Sequence, residues 1–573
     1  MSQVGHHKRC DESTTWRWLL VLAVVWGLVA LAQRPALAQG AEVDALFSRW
    51  DRPDSPGCAV GVIREGQLVY QRGYGMANLD HSVPLDGKSV FYIASTSKQF
   101  TAMSIAWLAT RGRLSLTDDI RRYLPELPRW EEPVTIGHLV HHTSGIPDFF
   151  VLFPLAGRRL EDTLSDEEIL ALLARQPRLH FRPGEQFQYS NSGYFLLGVI
   201  ISRVTGRPLR QFAEETFFAP LGMRDTHFHD DRTRVVRRRA TGYQPRSDGF
   251  AIFATLFDRV GDGGLLTTVE DLARWDQNFE DARVGGREMI ELALTPGRLN
   301  DGTRLTYAFG LTVREYRGLP QVSHGGIYNG FRAELLRFPT RKLSVACLCN
   351  LYNIDASRMA QSVADLYLAR EYPRPAEVEG PPSTVALSNE EIEGRTGLYF
   401  AAETGTALEI TLREGRLLAS LPGSGILNQW LTPLSETRFL GTNSLRSEFD
   451  FEDAVSPNER LVKVRLTPGI GQPVVRFERT TAASPSPTEL QEYVGQYHSA
   501  ALDIVYDVRL EEGKLLLQYR TSPRISLLPT IRDGFSGAGR NFVFQRDARG
   551  RVRGFGMSDA IGRLRVVPFL RKE

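Results

Sequence analysis

Ser95-Thr96-Ser97-Lys98 stands directly before a helical run from Gln99 to Thr110 whose apolar positions include Met103, Ala106, Trp107 and Ala109. A spacing of three on a helix puts the serine and lysine side chains on one face, within reach of each other. Unpaired N–H groups and the dipole at a helix start favour developing negative charge, which a serine attacking a carbonyl generates. A lysine beside that serine is placed to accept or relay its proton. Alone, the four residues are equally a helix cap; their company decides.

Two further stretches supply that company. Tyr189-Ser190-Asn191 follows the turn Phe181-Arg182-Pro183-Gly184 and precedes a helical run from Tyr194 to Val204, so its side chains sit on a loop entering a helix. Ser323-His324-Gly325-Gly326 lies at the head of the last hairpin of this segment, where two glycines let a ligand approach the strand backbone. The segment opens with a hairpin, Cys58 to Ile63 and Leu68 to Arg72, and closes with another, Phe331 to Phe338 and Leu343 to Leu351. Helical spacing fills the middle, including Asp166 to Ala174 and Val269 to Phe279, the latter capped from Thr267-Thr268. Terminal strands around a helical centre predict an α+β fold, an antiparallel sheet flanked by helices.

The rest of the chain sets the context. Lys8, Arg9 and Arg17 precede an apolar block from Trp18 to Ala32 and the small residues Ala36-Leu37-Ala38, which read as a signal peptide over residues 1–38. The block is shorter than the roughly 20 residues a membrane-spanning helix needs. We therefore expect an exported protein, periplasmic or extracellular, without stable membrane insertion after cleavage. With 69 Lys and Arg against 67 Asp and Glu, no global field favours nucleic acid. Beyond Cys10, the cysteines are Cys58, Cys347 and Cys349, an odd number. Cys347 and Cys349 alternate on a strand and read as small core residues rather than a disulfide or metal pair. No Cys/His cluster has zinc-ligand spacing, so no metal and no cofactor is expected.

Proline-rich breaks at residues 373–388 and 480–488 divide the mature chain into a large segment, 39–372, and two smaller ones, 389–479 and 489–573. The smaller two resemble each other: Gly397-Leu398-Tyr399 recurs as Gly495-Gln496-Tyr497, and Glu414-Gly415-Arg416-Leu417-Leu418 as Glu512-Gly513-Lys514-Leu515-Leu516. Each predicts a small antiparallel β-barrel.

Ser-x-x-Lys, then Tyr-x-Asn, then His-Gly-Gly on a strand resembles, in that order, the serine β-lactamase and penicillin-binding protein superfamily. His142-Thr143-Ser144-Gly145-Ile146-Pro147-Asp148, Phe181 to Gly184 with Tyr189 to Tyr194, and Gly263-Gly264-Leu265 with Asp271-Leu272-Ala273 are similar to the branch holding class C β-lactamases, family VIII esterases and D-stereospecific aminopeptidases. The resemblance spans about Val43 to Leu368. It implies that Ser95 is the acylated nucleophile, Lys98 its proton partner, and Tyr189 the shuttle between nucleophile, leaving group and water. It implies further that Asn191 positions Lys98 and the substrate amide, that His324, Gly325 and Gly326 stand where relatives carry Lys-Thr-Gly, and that the backbone N–H groups of Ser95 and Ile327 form the oxyanion hole.

The departure at the third motif removes a fixed charge and a hydroxyl donor, about 1–3 kcal/mol of carboxylate binding. With two trailing lipocalin-like barrels, the layout looks most like the three-domain D-aminopeptidases. The implied substrate is a small peptide, amide or ester; a carboxylesterase, a DD-carboxypeptidase and a non-catalytic peptide-binding protein are the alternatives. Oligomeric state is not legible. Asp533, in the loop Arg532 to Gly537, either faces a substrate ammonium or turns a solvated hairpin. His138, His141 and His142 read as helix or loop contacts, and Asp262 as a turn residue the mechanism does not need.

Overall fold

The structure is a computed structural model describing residues 39–573, except 160–161, 163, 255–257, 374–384, 386, 424–427, 442–446, 453–460, 466–473, 521 and 560–563. Residues 1–38, read from the sequence as a signal peptide, and most of the first proline-rich break lie outside the described residues. A hairpin and a four-stranded meander far apart in sequence build one six-stranded antiparallel sheet. Its strands are β1 (Cys58–Arg64), β2 (Gln67–Tyr74), β3 (Thr312–Tyr316), β4 (Leu319–Tyr328), β5 (Phe331–Phe338) and β6 (Leu343–Cys349), in the order β3-β4-β5-β6-β1-β2. The central strands β5 and β6 are buried throughout, as strands covered on both faces must be.

Alternation decides which side each residue serves. Val345 and Cys347 pack with Ala360, Val363 and Leu368 of the C-terminal helix Ala356–Leu368, whereas Ala346 and Leu348 join the core beneath the helical region. That region contains α1 (Lys98–Ala109), α2 (Phe149–Leu155), α3 (Asp166–Ala174), α4 (Asn191–Thr205) and α5 (Val269–Asp281); the C-terminal helix is α6. Thr268 caps α5 by accepting from the Asp271 N–H, as its sequence foretells.

One expectation is overturned. Cys349 is not simply a core residue: it forms a disulfide with Cys58, 291 residues away. The two are direct cross-strand partners on β1 and β6 with Cα atoms 4.0 Å apart. Such a pair presents its sulfurs to each other across the ladder at bonding distance, whereas the same-strand neighbours Cys347 and Cys349 keep theirs 3.7 Å apart. Cys347 remains a buried free thiol.

The repeated segments form two closed eight-stranded antiparallel barrels, the first from Gly397–Ala401 to Val475–Thr480 and the second from Gly495–Ser499 to Val567–Arg571. The second barrel docks on the helical region. Tyr506 donates to the Leu155 carbonyl, Gln176 to the Ala501 carbonyl, and Arg565 to Gln186 Oε1, each at 2.9 Å. Asp533 serves its own barrel: it pairs with Arg546 and accepts from the Tyr493 hydroxyl, both at 2.8 Å. The hairpin-turn reading of its loop therefore stands, and Asp533 is not available to a substrate amine.

Candidate active site

The site lies where the start of α1 meets strand β4. Ser95 sits in a single 3₁₀ turn, Ala94–Ser97, that runs straight into α1, and Ala94 takes a positive φ of 48° to make the bend. The turn is held from behind. Ser97 donates to the Ala94 carbonyl at 2.6 Å, the Leu265 N–H donates to Ser97 Oγ, and Thr96 Oγ1 donates to the His324 carbonyl on β4. At Gly326 the approach is so close that a Cβ would lie 2.1 Å from the Ile93 carbonyl oxygen, so only glycine fits. Ile327, next on the strand, is exposed over 71% of its surface.

Lys98 is wholly buried. Its ammonium donates to Ser95 Oγ at 3.2 Å, to Asn191 Oδ1 at 2.8 Å and to the Asp262 backbone carbonyl at 2.5 Å. Three acceptors satisfy three N–H bonds, which is how a buried ammonium is tolerated. Asn191 is itself oriented, donating from Nδ2 to Asp148 at 2.9 Å. Asp148 also caps α2 through the Phe150 N–H, and burial raises its pKa.

The loop carrying Tyr189 is strapped to the segment His142–Asp148. Gln188 N–H donates to the His142 carbonyl, Ser190 N–H to His142 Nδ1, Ser190 Oγ to the Ile146 carbonyl, and Ser192 Oγ to the Pro147 carbonyl. His142 packs its ring 4.3 Å from that of Tyr189, and desolvation holds its pKa well below the ordinary histidine value. The Tyr189 ring lies 5.0 Å from Lys98 Nζ, so Ser95, Lys98, Tyr189 and Asn191 are brought together in one place.

His324 is buried between its neighbours. Its Nδ1 donates to the Gly325 carbonyl at 2.7 Å, leaving Nε2 to accept from the Tyr307 hydroxyl at 2.9 Å. Desolvation, with the Lys98 charge nearby, lowers its pKa to about 3. It therefore occupies the lysine position of the third motif without supplying a positive charge. Gly325 and Gly326 continue the strand beside it.

Several contributors carry no signal that sequence reasoning could use. Tyr307, which donates to His324 Nε2, belongs to no motif. Asp262, expected to be dispensable, gives Lys98 its shortest hydrogen bond through a backbone atom, which no side-chain pattern reveals. Asp148 stands inside a quoted motif, yet only the fold brings it to Asn191. Among the described residues the one group of possible metal ligands is Cys58, Cys347 and Cys349, two of which are already joined to each other.

A buried Lys on a serine hydroxyl at a helix start, with a tyrosine and an asparagine opposite and a strand edge alongside, defines a serine acyl-transfer site on an α+β scaffold. The chain belongs to the beta-lactamase family, whose pattern it matches over residues 43–368. It is 30% identical over 411 residues to penicillin-binding protein 4* of Bacillus subtilis strain 168, covering 68% of this chain and 89% of that protein. It is 26% identical over 521 residues to the D-aminopeptidase of Brucella anthropi, covering 87% of this chain and 92% of that one. The octameric penicillin-binding protein homologue from Pyrococcus abyssi shares its fold, with a TM-score of 0.51 at 24% identity over 79% of this chain and all of that one. The protein is thus a serine hydrolase of the β-lactamase fold.

Proposed function

We propose that the protein is an exported peptidase of the D-aminopeptidase kind, cleaving small amides through an acyl-enzyme on Ser95. The observation that carries this reading is the neutral His324 beside Gly325, which offers neither the charge nor the hydroxyl with which a carboxylate-binding site would hold a free acid. The alignment with the Brucella anthropi D-aminopeptidase, which runs on beyond the catalytic region, supports it.

In this mechanism Ser95 Oγ attacks the amide carbonyl while its proton passes toward the Tyr189 oxygen, and the Lys98 ammonium stabilises the negative charge that develops on the serine. The Ser95 and Ile327 N–H groups receive the oxyanion. Tyr189 returns the proton to the leaving nitrogen, and the same groups then activate water against the ester. Asp262, Asn191 and Ser95 hold the lysine aimed throughout.

The test is hydrolysis of D-alanine p-nitroanilide, its L-isomer, p-nitrophenyl butyrate and nitrocefin by the mature protein, with Ser95→Ala as control. Turnover of the D-anilide, abolished in Ser95→Ala, is the expected result. Turnover of the butyrate alone would replace the peptidase reading with an esterase, and silence on all four without fluorophosphonate labelling would leave a binding protein.

A further inference from the structure

Glu334 lies on β5 directly across from Gly325 on β4. Its side chain is almost wholly removed from solvent, with 5% of the residue exposed. A Cβ built on Gly325 would stand 2.8 Å from Glu334 Oε2 and 3.2 Å from Ser357 Oγ. The space that a hydroxyl-bearing side chain would need at position 325 is therefore filled by a carboxyl group, to which Ser357 donates a hydrogen bond.

This carboxyl borders a cavity of about 480 Å³ whose walls run from Tyr189 and His324 to Glu334, Ser357 and Gln361. The β3–β4 ladder begins only at Thr312 and Ser323, so the backbone of His324 and Gly325 lines the cavity as well. If Tyr189 returns the proton to the departing atom, that atom lies on the Tyr189 side of the adduct, and whatever it carries extends into this cavity.

The cavity's electrostatics are one-sided at depth. His324 is neutral, and among the described residues no cationic side chain stands within ion-pair distance of Glu334. Burial lifts the Glu334 carboxyl to about 7, the condition of an acid that gains from a counter-ion. The opposing charge is Arg314, also on the cavity wall, but it is exposed and its Nε is engaged by Gln321 Oε1 at 2.7 Å.

We propose that Glu334 makes the leaving-group side of this site a receptor for an ammonium-bearing leaving group and disfavours one bearing a carboxylate. The proposal rests on the assignment of Ser95 and Tyr189 above, though not on the choice between peptidase and esterase.

The experiment compares kcat/KM across matched leaving groups in two series. One is the D-alanine amides of 2-aminoethylamine, propylamine and glycine; the other is the butyryl thioesters of 2-(dimethylamino)ethanethiol, 3-methylbutanethiol and 3-mercaptopropionate. In the wild type the cationic member should exceed the neutral one about tenfold, with the anionic member slowest. Glu334→Gln should bring the cationic-to-neutral ratio close to one, while Glu334→Asp keeps part of it. Silence of the amides with this ranking intact among the thioesters would end the peptidase reading and uphold the receptor. Should neither series turn over, protection of Ser95 from fluorophosphonate by butylammonium but not by butyrate upholds the receptor, and equal protection by the two ions overturns it. A flat ranking, or an anionic preference lost in Arg314→Gln, would also overturn the proposal.

Discussion

Asn191 Oδ1 lies 2.8 Å from the Lys98 ammonium, and the same side chain is tethered from behind by Asp148. The lysine that touches the nucleophile is therefore aimed by a residue that is itself aimed. Asn191→Ala removes one charge-assisted hydrogen bond, about 1.5–3 kcal/mol, which corresponds to roughly a ten- to hundredfold loss in kcat. Asp148→Ala should lower kcat too, and in addition cost about 1 kcal/mol of stability because the cap of α2 goes with it. Measuring kcat and Tm for both variants separates them; equal Tm losses would mean that Asp148 does not act as a cap.

β-Lactams carry a carboxylate that this site is poorly equipped to hold. Nitrocefin should be turned over slowly or not at all by the wild type. Restoring a charge and a hydroxyl by the pair His324→Lys and Gly325→Thr is not a remedy, since Glu334 and Ser357 occupy the space a threonine Cβ would enter. Efficient nitrocefin hydrolysis by the unmodified protein would contradict the role given to the third motif.

The Cys58–Cys349 link ties the first strand of the domain to its last. Cys58→Ala should lower the urea midpoint by an amount equivalent to about 2–5 kcal/mol, and dithiothreitol should move the wild type in the same direction while leaving the variant unchanged. An unaltered midpoint would show that the two sulfurs are not joined in the folded protein.

Acid stability follows from the buried histidines. Desolvation lowers His324 to about 3 and His141, His180 and His227 to about 4. Below the unfolded value of 6.5 the unfolded chain takes up protons that the folded chain refuses, so stability falls as pH drops through that window. Glu334, raised to about 7, and Asp166, raised to about 6, act oppositely: the folded chain keeps protons that the unfolded one has released, and their contribution declines as pH rises. The histidines outnumber the acids, so the urea midpoint should be lower at pH 5 than at pH 7. A higher midpoint at pH 5 would show the two acids to dominate.

Much of this architecture is legible in the sequence because its signals are local. The hairpins at Cys58 and Phe331, the α5 cap at Thr268 and the Ser95 and Lys98 spacing each lie within a few residues of one another. The barrel repeat is legible because matching turns recur at Gly415 and Gly513. What escapes is what the chain brings together from a distance. No spacing shows that Cys58 faces Cys349, since that depends on β6 being inserted beside β1. The Asp262 carbonyl is a backbone atom, identical in every residue, and gives no compositional trace. Glu334 reads as one of three charged positions, with Arg332 and Arg337, in the strand Phe331–Phe338, and only its register opposite Gly325 connects it with the site.

The absence of a side chain at Gly326 has a consequence for how tolerant the catalytic apparatus is. Because bare backbone touches bare backbone between Ile93 and Gly326, the spacing between the Ser95 turn and β4 is gauged by covalent geometry and has no rotamer to relax. Loops and barrels around it are free to diverge, while the distance between the Ser95 turn and β4 keeps its setting.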